Sequence, residues 1–170
     1  SRKGEVAAIE PDIRSAFETV YQIESPGTFE GGDVLQVEQN FYVGLSDRTN
    51  LEGFKQFSEF MKNHSFTCLA IDMKDILHLK TGLSFLGDNS LLLVEAFENE
   101  PNFSSYRRIV VDEKEAYAAN CIRVNDYVLL PSGYSRVSAN LKTEGFNVIE
   151  LDMSEFQKLD GGLSCLSLRF

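Results

Sequence analysis

Three times along this chain, at intervals of about 40 to 48 residues, two short strand signals lead through a connecting stretch into a return strand that ends in aspartate. The first round has strands at 34–37 and 41–45, then a helix with apolar positions Phe54, Phe57, Phe60 and Met61 that Asn50 can cap. It closes with a strand at 67–71 before Asp72. The second pairs 78–86 with 91–95 across Gly87-Asp88-Asn89-Ser90 and returns at 108–111 before Asp112. Its connection, 97–106, holds Pro101 and is too short for a good helix. The third has strands at 121–124 and 127–130 around Asn125-Asp126, a helix at 136–144 stopped by Gly145, and a strand at 147–151 before Asp152. No such ββαβ block can bury its own apolar face, so blocks must pack on one another about a common axis. The expected class is α/β, one domain over 1–170, with units at roughly 30–75, 78–115 and 119–157.

The ends read as partial units, 1–29 and 160–170. Val6, Ile9, Ile13 and Phe17 recur at helical spacing over 1–17, with Pro11 expected at the first turn of a renewed helix. A short strand is expected at 21–24, and Ser154-Glu155-Phe156-Gln157 reads as a capping box. After the bend at Gly161-Gly162, a last strand would place Leu166, Leu168 and Phe170 on one face and Cys165, Ser167 and Arg169 on the other. The chain thus reads as about three full modules and two incomplete ones.

A net charge of −10 argues against nucleic acid as a partner, because no Lys/Arg stripe is available to face phosphates. The same charge would attract a small cationic ligand. There is no apolar run of bilayer length, so no membrane partner is expected. Cys68, Cys121 and Cys165 form an odd set without CxxC spacing, which favours a reduced, cytoplasmic protein over a disulfide framework. With two histidines and no finger-like Cys/His spacing, no metal is expected.

A cysteine hydrolase needs a thiolate, a proton-transferring group and something that orients that group. Free cysteine is mostly a small buried hydrophobe, and Cys165 taken alone fits that reading better than a reactive one. His64 lies at the polar end of a helix and suits a solvated role. His78 opens the second unit as Cys165 opens its own; taken alone, such a residue is more often a structural histidine. Glu30-Gly31-Gly32-Asp33 sets two carboxylates around a flexible backbone, as a solvated turn also would. Arg48, at a strand-to-helix junction, suits either a surface role or a fork that clamps a carboxylate.

Five stretches taken together carry more than any one. They are Phe29-Glu30-Gly31-Gly32-Asp33-Val34-Leu35; Phe41-Tyr42-Val43-Gly44-Leu45-Ser46-Asp47-Arg48-Thr49-Asn50; His78-Leu79-Lys80-Thr81; Ala119-Asn120-Cys121-Ile122; and Asp160-Gly161-Gly162-Leu163-Ser164-Cys165. In order and spacing they resemble the dimethylarginine dimethylaminohydrolase family of guanidino-modifying enzymes, whose superfamily has the five-bladed, propeller-like pentein fold.

The resemblance implies Cys165 as nucleophile, His78 as general acid/base and Glu30 as the carboxylate that partners it. It implies that Arg48 and Arg2 hold the substrate's amino-acid carboxylate, and that the backbone carbonyl of Leu159 faces substrate. Lys80 stands where arginine deiminases and amidinotransferases carry an acid, which favours the dimethylarginine-hydrolysing branch. The implied reaction gives citrulline and an amine through a thiouronium on Cys165, with no cofactor. In that family a further stretch precedes the region of Ser1 and carries acids that grip the guanidinium. Such a segment, or a second copy of the chain, is expected to complete the fold. The alternatives are another guanidino hydrolase, of arginine deiminase type, and a non-catalytic binding or assembly module.

Overall fold

The computed structural model describes residues 4–73 and 76–167. Among them the three repeats form three separate three-stranded sheets: β1 (Val34–Val37), β2 (Asn40–Leu45) and β3 (Thr67–Asp72); β4 (Leu83–Gly87), β5 (Ser90–Val94) and β6 (Arg107–Val111); β7 (Ile122–Val124), β8 (Tyr127–Pro131) and β9 (Asn147–Leu151). In each sheet the first pair is antiparallel and the second parallel. The antiparallel pairs need only a tight turn. In the middle sheet Asp88 and Asn89 both take positive φ, 47° and 55°, as a twisted two-residue hairpin requires.

A parallel return needs a crossover, and the helical segments supply it. They are α1 (Glu5–Ala16), α2 (Leu51–Lys62), α3 (Leu79–Gly82), α4 (Ser135–Thr143) and α5 (Ser154–Gln157). The crossovers are α2 in the first unit and α4 in the third. The second unit uses two 3-10 turns, Glu95–Phe97 and Pro101–Phe103. The Asn50 side chain caps α2 by accepting from the Gly53 N–H at 2.8 Å, as its place before Leu51 predicts.

The sheets share walls. Leu91, Leu92 and Leu93 of β5 are all fully buried. Alternation sends Leu91 and Leu93 into a core with Val37, Tyr42 and Ile71, and Leu92 into a second core with Val128, Leu130 and Leu141. The middle sheet therefore divides two apolar cores. Strand β4 packs against both β1 and β7. These three leading strands face a central cavity of about 670 Å³.

Four sequence expectations are corrected. Pro11 lies inside one continuous α1. That helix buries none of its residues, so water can take the carbonyl that proline leaves unbonded. Residues 21–24 pair with no strand. Side chains of α2 and the turn after it hold them instead: Gln56 bonds both the N–H and the carbonyl of Glu24, Tyr21 stacks on Phe60, and the Tyr21 hydroxyl meets His64 at 2.8 Å. The turn at 154–157 is helical, but Asp152 rather than Ser154 accepts its leading N–H. Around Cys165 the backbone forms a 3-10 turn, Leu163–Leu166, closed by the Cys165 N–H on the Gly162 carbonyl. No described strand lies alongside to offer a ladder, so local bonds win. Leu168, Arg169 and Phe170 of the expected strand lie outside the described residues.

Candidate active site

Glu30 is the last extended residue before a 3-10 turn at Gly31–Asp33. His78 was expected to open a strand; it is instead the extended residue that caps the single turn α3, and the strand β4 starts five residues later, at Leu83. From these two positions, His78 Nε2 and Glu30 Oε2 meet at 2.8 Å. An ionised carboxylate can only accept, so Nε2 carries the hydrogen and Nδ1 remains to take or give a proton. The ring lies on the backbone of Gly32. A Cβ there would stand 2.7 Å from imidazole Cδ2 and 2.8 Å from Cγ. Gly32 therefore makes room for the imidazole.

Arg48 approaches the same carboxylate oxygen, its Nε 3.8 Å from Glu30 Oε2, and Nη1 lies 3.5 Å from the Leu77 carbonyl. Its side chain keeps 42% of its exposure, so an incoming carboxylate can still reach the guanidinium.

Cys165 is exposed and makes no hydrogen bond through sulfur among the described residues. The turn that carries it is anchored by the 3-10 segment Glu113–Ala119 and the residue after it. Asn120 Oδ1 accepts from the Ser164 N–H at 3.0 Å, and the Tyr117 hydroxyl donates to the Gly161 carbonyl at 2.6 Å. Gly162 packs so close to the Asn120 amide that a Cβ would clash. The other cysteines differ. Cys121 is fully buried and its thiol is pushed up to about 12 by that burial; part-burial also raises Cys68.

Gly31, Lys80 and Ser164 all line the central cavity. They are the immediate or next-but-one neighbours of Glu30, His78 and Cys165, so the three stretches open on one space. Burial draws the Lys80 ammonium below the usual lysine range, partly opposed by its electrostatic interaction with Cys165 and Asp33. Leu159 is 86% exposed, in the turn before Gly161. Arg2 lies outside the described residues. Sequence reasoning assigned no role to Tyr117, Asn120, Ser46 or Thr49. Ser46, Thr49 and Asn120 stood in quoted motifs without a role of their own, and nothing local in the sequence marks Tyr117. Among the described residues no group of three His, Cys, Asp or Glu side chains is disposed to hold a metal.

Residues 6–125 match the arginine deiminase family. The chain belongs to that family. It is 43% identical to the N(G),N(G)-dimethylarginine dimethylaminohydrolase of Pseudomonas aeruginosa, over the whole chain and 67% of that protein. It is 28% identical to the Streptomyces coelicolor protein of the same name, over 99% of this chain and 65% of that one. It therefore spans about two thirds of the length of these curated relatives. Among solved structures, the Pseudomonas enzyme as a cysteine-to-serine mutant complexed with citrulline superposes with a TM-score of 0.94 at 42% identity, covering 99% of this chain and 67% of that one. The N-terminal domain of a cyanobacterial arginine dihydrolase, bound to product, gives 0.83 at 27% identity, covering 95% and 65%. The family resemblance and the propeller-like α/β arrangement read from the sequence are both borne out.

Proposed function

We propose that the protein carrying this chain hydrolyses Nω,Nω-dimethyl-L-arginine, or its monomethyl analogue, to L-citrulline and the corresponding amine. The hydrogen bond between His78 and Glu30, made beside the cavity that Lys80 and Ser164 also line, carries this reading. It stands on a chain with 43% identity to a dimethylarginine dimethylaminohydrolase.

In this scheme the Cys165 thiolate attacks the guanidinium carbon and gives a tetrahedral adduct. Imidazolium at His78, held by Glu30, protonates the dimethylamino nitrogen, and the C–N bond breaks to release dimethylamine. A thiouronium remains on Cys165. The now neutral His78 takes a proton from water as its oxygen adds to the same carbon. Collapse then expels the thiolate and leaves the ureido group of citrulline. Arg48 and Arg2 bind the substrate carboxylate, and the Leu159 backbone carbonyl faces the substrate. A free thiol is mostly protonated at neutral pH, so the cations of His78 and substrate must favour the thiolate. Lys80 adds a third positive charge near the sulfur.

The test is citrulline release by the complete natural protein, with dimethylarginine, monomethylarginine and arginine compared by kcat/KM. Turnover of methylarginines that Cys165→Ser abolishes supports the reading. Preference for unmethylated arginine moves it to a deiminase, and the absence of any Cys165-dependent turnover overturns it.

A further inference from the structure

Asp33 is a carboxylate with no exposed surface, yet among the described residues no cation forms an ion pair with it. It accepts three hydrogen bonds: from Ser46 Oγ at 2.8 Å and Thr49 Oγ1 at 2.7 Å on Oδ2, and from the Leu79 N–H at 3.2 Å on Oδ1. The two hydroxyls are themselves committed. Thr49 Oγ1 accepts the Glu30 N–H at 3.0 Å. Ser46 Oγ accepts the N–H groups of Arg48 and Thr49 at 3.0 and 3.1 Å. With both lone pairs of Ser46 occupied, that hydroxyl must send its hydrogen to Asp33 Oδ2, and the Leu79 N–H can only donate to Oδ1, so both oxygens of the centre have to accept.

We infer that Asp33 is the positioning residue of the site, fixing three functional groups through three arms that meet on one carboxylate. One arm runs through Thr49 to the backbone of Glu30, one through Ser46 to the backbone of Arg48, and one directly to the residue that follows His78. These segments are separated by up to 48 residues in the chain, and no described strand pairs Glu30 or His78 with its partners. The separation between His78 Nε2 and Glu30 Oε2, and the approach of Arg48 to the same oxygen, are therefore set by Asp33. Asparagine has the same shape but turns an NH₂ either on the Leu79 N–H or on the Ser46 hydroxyl, whose two acceptor sites are in use, so at least one arm is lost.

The kinetic side of this inference rests on the proposed hydrolysis; the structural side does not, and the experiment separates them. Steady-state citrulline formation is measured for Asp33→Asn, Thr49→Val and Ser46→Ala. The downfield imidazole N–H resonance of His78, the signature of its bond to Glu30, is followed by NMR in the same proteins. Thr49→Val, which cuts only the Glu30 arm, lowers kcat about tenfold or more with little change in KM, and weakens the His78 resonance. Ser46→Ala, which cuts the Arg48 arm, raises KM about tenfold and leaves that resonance in place. Asp33→Asn combines both changes. If Asp33→Asn does not fold, the opposite signatures of the two single-arm variants carry the test, since general loosening would move both proteins alike. Wild-type kcat, KM and His78 resonance in folded variants overturn the inference. A His78 resonance that responds in the expected way, in a protein without hydrolytic turnover, upholds the positioning role and removes only the enzyme reading.

Discussion

Gly32 shows how much one missing side chain decides. With the His78 ring 2.7 to 2.8 Å from where a Cβ would stand, Gly32→Ala must push the imidazole away from Glu30. A displacement of the order of 1 Å at a catalytic group costs about 10²-fold in rate, while the turn at Gly31–Asp33 needs no unusual backbone there. The expected outcome is a loss of about 10- to 100-fold in kcat with an almost unchanged melting temperature, read from citrulline assays and thermal scans. The cysteines make a second residue-scale test. Cys165 is exposed, whereas burial raises the thiols of Cys121 and Cys68. Brief iodoacetamide treatment of the native protein at pH 8 should therefore give a single adduct, on Cys165, by peptide mass spectrometry. Sequence pattern exposed Glu30 and His78 because each stood in a motif with distinctive neighbours. It did not expose the work of Asp33, since a turn acid beside two glycines looks the same whether solvated or buried. Its partners Ser46, Thr49 and Leu79 are 13, 16 and 46 residues away.

Elements follow the pattern wherever periodicity and capping agree, and depart from it wherever a partner decides. Asn50 sits before an amphipathic run and caps α2 as expected. The stretch around Cys165 alternates like a strand, yet alternation describes only which side chains share a face; a strand also needs a neighbour to hydrogen-bond. Residues 21–24 fail as a strand for the same reason, and Gln56 and Phe60 supply what a ladder did not. Caps are also where pH acts. The Asp112 carboxyl lies below its ordinary range because it accepts the Lys114 N–H at 2.9 Å, with Arg136 close by. A carboxylate whose folded pKa is depressed contributes stability that is fully present above its unfolded value of about 3.9 and lost as pH falls through the folded value. Asp112→Ala should therefore lower the urea midpoint most above pH 5. The gap to wild type should narrow steadily on acidification below about pH 4.

For the whole molecule, the middle sheet is the joint. Leu92 enters one core and Leu91 and Leu93 the other, so a cavity at Leu92 opens in the core it shares with Val128, Leu130 and Leu141. Leu92→Ala should cost about 3 kcal/mol, and chemical denaturation should remain one transition whether followed by circular dichroism or tyrosine fluorescence. Two separate transitions would show that the sheets melt independently. The sequence made this architecture visible through its 40- to 48-residue rhythm, since repeated blocks must stack. Which block would serve as the partition was hidden, because three consecutive leucines fit a buried strand in any unit.

The central cavity takes its walls from β1, β4 and β7, one strand from each sheet. Whatever lodges there acts as a keystone, touching three separately hydrogen-bonded pieces at once. Occupancy should then lock the ring together: saturating ligand raises the melting temperature in step with its concentration over Kd, and amide exchange slows in all three sheets rather than beside Cys165 alone.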